Sequence, residues 1–368
     1  MGLISGSNGG ISKSYSKIDG ISKFDMSMVE KLPKIVSFFI NNRCQLNCRH
    51  CYVGYKYDNT DSLSIKEWKK VFDDCIEIGT LTFGLAGKEP LLGWDKTKAV
   101  LNFLKIKKEI NPKIRFGIVT NGLLLNNEII NDLEKINPDY IDISLDGDEN
   151  THDKIRGKGT YKELMDRLHL FSSHQSIINN IFIAITLNKE NINSLHNIIF
   201  VVNKLQIKNF VISPYITNAM GRDPLYLESS LLASQMKELV EGELLEFSKY
   251  SGLNIFFKSD CFEGNKIIGH LIDNDVINLD HLFIDEYGTI FNKYRFDSNT
   301  IYFNYPFVDD SLIRTLRISH DGYVGNCYDM FFENYPERAI GNVLEKSIRE
   351  ILENRNVFKK EYAGCDFP

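Results

Sequence analysis

Hydrophobic positions gather in short β-branched and aromatic runs at 34–40 (PKIVSFF), 80–85 (TLTFGL), 113–119 (KIRFGIV), 140–145 (YIDISL), 180–187 (NIFIAITL) and 208–213 (KNFVIS). Between them, 63–78, 95–109, 126–136, 160–172 and 191–205 repeat apolar residues at helical spacing, several opened by a Ser, Asp or Asn cap. Strand then helix, repeated, specifies parallel βα units. A closed eight-stranded barrel needs two more units after residue 222, where the rhythm is lost. The expected fold is therefore α/β, an open partial (β/α)6 TIM-like barrel.

Beyond the barrel the pattern is mixed. A helical stretch near 229–248 precedes an irregular Asn- and Asp-rich segment; 312–325 reads as a hairpin turning at His320, Asp321 and Gly322, and 343–354 as a helix. The expected division is an N-terminal arm over 1–33, a barrel over 34–222, a bridging region over 223–310 and a small α+β module over 311–368.

Composition narrows the function classes. Of 368 residues, 43% are hydrophobic and 25% charged, as in folded globular chains. Lys plus Arg is 43 against 49 for Asp plus Glu, a net −6 that argues against a basic nucleic-acid surface. No apolar run approaches the roughly 18 residues of a membrane span, and the first thirty residues lack a signal-peptide centre. The expectation is a cytoplasmic protein with neither nucleic acid nor membrane as partner.

Seven cysteines are too few for a disulfide framework, yet Cys44, Cys48 and Cys51 are crowded as C-x3-C-x2-C. They begin four residues past the first strand, in the polar loop Asn41, Asn42, Arg43. Carboxyl ends of parallel strands are where ligands gather. Three thiolates can hold three corners of a [4Fe–4S] cube and leave one iron open to a small molecule. A zinc site completed by His50, in a non-catalytic scaffold, is the competing reading, and three unrelated core cysteines a weaker one. Cys75, among Val71, Phe72 and Ile78, reads as a small core residue.

The segment CQLNCRHCY resembles the cluster motif of the radical S-adenosylmethionine (SAM) superfamily, with His50 at the aromatic position before the last cysteine. AGKEP, after the second strand, resembles the family's GGEP. SLDG followed by HDKIRGKGTYKEL is similar to the run in the branch bearing a C-terminal SPASM or twitch extension, as are HDGYVGNC and GNVLEKSIREIL. The resemblance implies a [4Fe–4S] cluster on Cys44, Cys48 and Cys51 that reductively cleaves SAM to a 5′-deoxyadenosyl radical, which takes a hydrogen atom from a substrate.

It also implies the SAM contacts. Glu89 would accept the ammonium, in a loop that Gly87 lets approach closely; Ser144 would bond the carboxylate or ribose, and Asp146 would hold the turn. Arg156 would pair with the carboxylate, or form an exposed salt bridge. Asn121 would reach the ribose or form a turn, and Leu187, with Ile185, would line the adenine or pack as core. Lys88 stands where the family has glycine, and would strain the loop if that position has positive φ.

Cys261, Cys327 and Cys365 would hold one auxiliary iron–sulfur cluster; otherwise the module is a cluster-free remnant that shapes the pocket, with Cys261 a candidate hydrogen-atom donor. The branch implies a ribosomally made peptide as substrate, modified by crosslink, epimer or thioether. Sugar or aminoglycoside tailoring is the alternative. A flavodoxin or ferredoxin would supply electrons.

Overall fold

The computed structural model describes residues 33–51, 63–215, 223–238, 250–258, 262–277, 282–284, 290–296, 298–305, 315–326 and 339–353. The six expected strands form at β1 (Ile35–Phe39), β2 (Thr82–Ala86), β3 (Arg115–Thr120), β4 (Tyr140–Ser144), β5 (Ile181–Leu187) and β6 (Asn209–Pro214), all parallel. Helices alternate with them: α1 (Ile65–Glu77), α2 (Trp94–Ile110), α3 (Asn127–Ile136), α4 (Glu149–Arg156), α5 (Thr160–Leu170) and α6 (Leu195–Asn203). α1 starts where it does because Ser64 and Glu67 form a reciprocal capping box.

The parallel run is longer than six. β7 (Asn254–Phe257) adds beside β6. Beyond it lie β8 (Leu282–Ile284), β9 (Ile290–Phe296) and β10 (Asn299–Tyr305), with β10 parallel to β7 and β9 antiparallel to both β10 and β8. At the other edge the expected hairpin forms as β11 (Thr315–Ile318) and β12 (Tyr323–Asn326), and β11 docks parallel to β1. β13 (Gly341–Asn342) completes one sheet in the order β13-β12-β11-β1-β2-β3-β4-β5-β6-β7-β10-β9-β8. Among the described residues its ends do not pair, and the barrel is open. α7 (Ser229–Glu238), α8 (Phe262–Asp273) and α9 (Ile348–Glu353) account for the remaining α-helices among the described residues.

One apolar core lies between the sheet and the helices. Phe38 of β1, Phe83 of β2 and Trp68 and Phe72 of α1 are fully buried, with Phe38 and Phe72 edge to face at 4.6 Å. Removing one such ring costs roughly 3–5 kcal/mol. Cys75 lies in this core, fully buried. With their outer sides fixed to helices, the strands present their alternate residues to the lumen and their carboxyl ends to one mouth.

Candidate active site

The cysteine loop follows β1 at that mouth, and polar bonds clasp it. Ile40 donates its N–H to the Ala86 carbonyl, Glu89 donates to the Arg43 carbonyl at 2.8 Å, and the Asn41 amide donates to the Glu89 carbonyl at 2.9 Å. Such close approach requires Gly87, whose φ is +136° and whose added Cβ would stand 2.9 Å from the Asn41 carbonyl oxygen. Lys88 is not among the positive-φ residues, so lysine there brings no backbone strain. Glycine is needed one position earlier.

None of the three thiols is in a disulfide: Cys44 is half-buried, Cys48 buried and Cys51 exposed. Burial pushes the Cys44 thiol up, opposed by the Leu46 N–H, which donates to its sulfur at 3.4 Å. Burial pushes Cys48 up to about 11, against the pull of the Arg156 charge. Thiolates at this loop therefore need a positive counter-charge, which Arg156 brings and iron would extend.

Arg156 is buried, not part of an exposed salt bridge. Its Nε donates to Asp146 Oδ2 at 2.5 Å, and its Nη2 lies 3.3 Å from His50 Nε2. A guanidinium only donates, so His50 Nε2 accepts and the imidazole proton sits on Nδ1, which is buried without a partner among the described residues. Burial pushes His50 down to about 4, so the ring is neutral. Burial alone would raise Asp146, but the charge of Arg156 and the Thr186 N–H, donating at 2.9 Å, hold its carboxyl below the usual range. Asp146 thus does more than hold the turn: it joins β5 to the Arg156–His50 pair. These contacts also weaken the zinc reading. His50 Nε2 is committed to Arg156 and so is not available to a metal ion.

Glu89 is fully buried and serves as a hub. Its Oε1 accepts from the Thr120 hydroxyl at 2.7 Å and the Leu91 N–H at 2.9 Å, and its Oε2 accepts from the Asn121 N–H at 2.8 Å. Burial holds its pKa above the ordinary range despite these bonds. One lone pair on Oε2 remains for a further donor. Asn121 bridges to the cysteine loop: its side-chain oxygen accepts from Gln45 at 3.1 Å and its amide donates to the Cys44 sulfur at 3.7 Å. Ser144 ends β4, half-buried, and its hydroxyl has no partner among the described residues. Leu187 and Ile185 are buried on β5, and Leu187 lines a cavity of about 230 Å³ with His196, Met236 and Phe257.

Cys44, Cys48, Cys51, His50, Gly87, Glu89, Asn121 and Arg156 are thus joined by short links at one mouth, with Ser144 at the end of the neighbouring strand β4. Cys261, Cys327 and Cys365 lie outside the described residues. Sequence reasoning missed Asn41, Thr120, Thr186 and His152. His152 accepts from the Asp146 N–H through Nδ1 at 3.2 Å, and its signal was its place in the HDKIRG run.

An open parallel α/β barrel with a thiol-bearing loop at its strand carboxyl ends places those thiols where ligands gather in such folds. Residues 38–201, a little under half of the chain, match the Radical SAM superfamily model. It is 29% identical over 168 residues to the Fe-coproporphyrin III synthase of Methanosarcina barkeri, covering 45% of this chain and 40% of that protein. It is 25% identical to the antilisterial bacteriocin subtilosin biosynthesis protein AlbA of Bacillus subtilis, covering 71% of this chain and 60% of that protein. The chain thus spans less than two-thirds of these two relatives. In fold it is similar to Streptococcus suis SuiB bound to precursor peptide SuiA, with TM-score 0.65 and 14% identity over 95% of this chain and 70% of that one. Among the described residues no helix is long and apolar enough to cross a membrane.

Proposed function

We propose that this chain modifies a ribosomally synthesised peptide by radical SAM chemistry at the mouth of the barrel. The observation that carries the reading is the loop of three thiols, none in a disulfide, beside the buried Arg156–Asp146 pair. Cys44, Cys48 and Cys51 would hold a [4Fe–4S] cluster, which with SAM bound would supply a 5′-deoxyadenosyl radical. Arg156 offsets the negative charge of the thiolates. Glu89 offers its remaining lone pair to the SAM ammonium, Ser144 and Arg156 take the carboxylate, Asn121 reaches the ribose, and Leu187 lines the adenine. His50 and Gly87 keep the loop closed over these contacts. The peptide reading is favoured by likeness to a bacteriocin biosynthesis protein and to a fold seen with a precursor peptide.

The module at 311–368 shapes the substrate pocket without a cluster of its own, and a flavodoxin or ferredoxin supplies electrons. Oxygen-free protein should be brown and, once reduced, release 5′-deoxyadenosine from SAM. Cys44→Ala, Cys48→Ala and Cys51→Ala should each abolish that release, and the triple variant should hold no iron or sulfide. A colourless, zinc-loaded protein ends the reading; iron retained in the triple variant places a second cluster on Cys261, Cys327 and Cys365.

A further inference from the structure

Ile141 and Ile143 of β4 are fully buried against the helices, so Tyr140, Asp142 and Ser144 face the lumen. Tyr140 closes the floor: its ring lies so close over Gly117 that an added Cβ would meet it at 2.4 Å. One layer higher stands Asp142, which is 5% exposed and receives no hydrogen bond among the described residues. Its charged neighbour among the described residues is Lys258, just past β7, whose Nζ lies 3.9 Å from Oδ2, beyond hydrogen-bond reach. The Lys258 side chain is 40% exposed.

Beside the pair runs an aromatic wall. Phe182 is the register partner of Asp142 on β5, and its ring is 5.9 Å from that of Phe256 on β7. Phe256 stacks on Tyr302 of β10 at 4.4 Å. All three rings are only partly buried. A buried carboxylate without donors is costly, and a distant ammonium leaves its lone pairs empty. The lumen thus offers an unfilled acceptor and an exposed donor side by side, against apolar rings. A peptide unit carries the complement: one N–H, one C=O and an adjoining side chain.

We propose that Asp142 and Lys258 anchor the substrate backbone. Asp142 accepts a peptide N–H, Lys258 donates to a peptide carbonyl, and the neighbouring side chain packs on Phe256 and Tyr302. This deepens the proposed function and rests on it. Ser144 is two residues along the same face, about 6.6 Å away by strand rise, so the anchored unit sits one layer below the proposed SAM contacts.

The test is an oxygen-free selection of a random decapeptide library, displayed as messenger-RNA fusions, on reconstituted protein with SAM. Wild type should enrich a peptide family, while Asp142→Asn and Lys258→Met each recover at least tenfold fewer peptides at equal iron content and melting temperature. Lys258→Met alters an exposed side chain and keeps the test decisive should the buried variant misfold. Equal recovery by the variants, or no enrichment by a wild type that still cleaves SAM, overturns the anchor. A wild type that does not cleave SAM overturns the proposed function instead.

Discussion

Arg156 donates from Nε to Oδ2 of Asp146 at 2.5 Å, with the Asp146 side chain fully buried and that of Arg156 9% exposed. Asp146 belongs to the loop after β4 and Arg156 ends α4, so the bond fixes where that helix lies against the mouth. The other side of the guanidinium faces His50 and the electrostatic reach of Cys48 and Cys51. One buried ion pair therefore joins the β4 loop, α4 and the cysteine loop.

Breaking that pair from one side should be severe. Asp146→Ala leaves a buried guanidinium uncompensated and the Thr186 N–H without its acceptor, and losses of about 3–5 kcal/mol attend such changes. Urea unfolding should show a drop of this order, and reconstituted iron content should fall with it. Wild-type stability in Asp146→Ala would contradict the account.

Glu89→Gln should affect stability as well as ligand binding. An amide at this site turns an NH2 toward either the Asn121 N–H or the Thr120 and Leu91 donors, and an unpaired buried donor costs about 1–3 kcal/mol. Calorimetric melting should fall while SAM affinity, by equilibrium dialysis, weakens at least tenfold.

The two positions of the AGKEP loop should behave oppositely. Gly87→Ala forces a side chain into positive φ and against the Asn41 carbonyl, at a cost of about 1–3 kcal/mol. Lys88→Gly relieves no strain and should leave melting within a degree or two. Thermal unfolding of the two variants side by side decides it.

Acid sensitivity follows from two histidines, His50 and His152, and His152 is the separable one: burial pushes it down to about 4 from an ordinary 6.5. The unfolded chain binds a proton near 6.5 that the folded chain refuses until about 4. Stability is therefore full above 6.5 and declines as pH falls between these values, by about 3 kcal/mol for this ring. His152→Asn keeps an acceptor for the Asp146 N–H and should flatten the change in urea midpoint between pH 7 and pH 5. An unaltered slope would show that His152 is not the group responsible.

The six barrel strands were legible to within about two residues because each is a dense apolar run bounded by polar loops. α4 was missed: its sequence ENTHDKIR is polar, and only His152, Ile155 and Arg156 turn inward. β7 was missed as well, since four residues carry little periodicity and the strand exists by pairing with β6. At the site, Cys44, Cys48 and Cys51 announced themselves by spacing. Arg156 looked equally suited to the surface, because burial leaves no mark on a lone arginine.

The chain's own order of residues determined the strand–helix alternation, the placing of a thiol triplet just past the first strand and the glycine that lets the second loop close on it. These follow from local periodicity, spacing and backbone sterics, which act over a few neighbouring residues. Packing alone decided that Asp146 meets Arg156 and His50, that Glu89 is enclosed by three donors, and that Asp142 of β4 faces Lys258 beyond β7. Those relationships depend on which groups lose water together when the sheet curls, and desolvation is set by the assembled barrel.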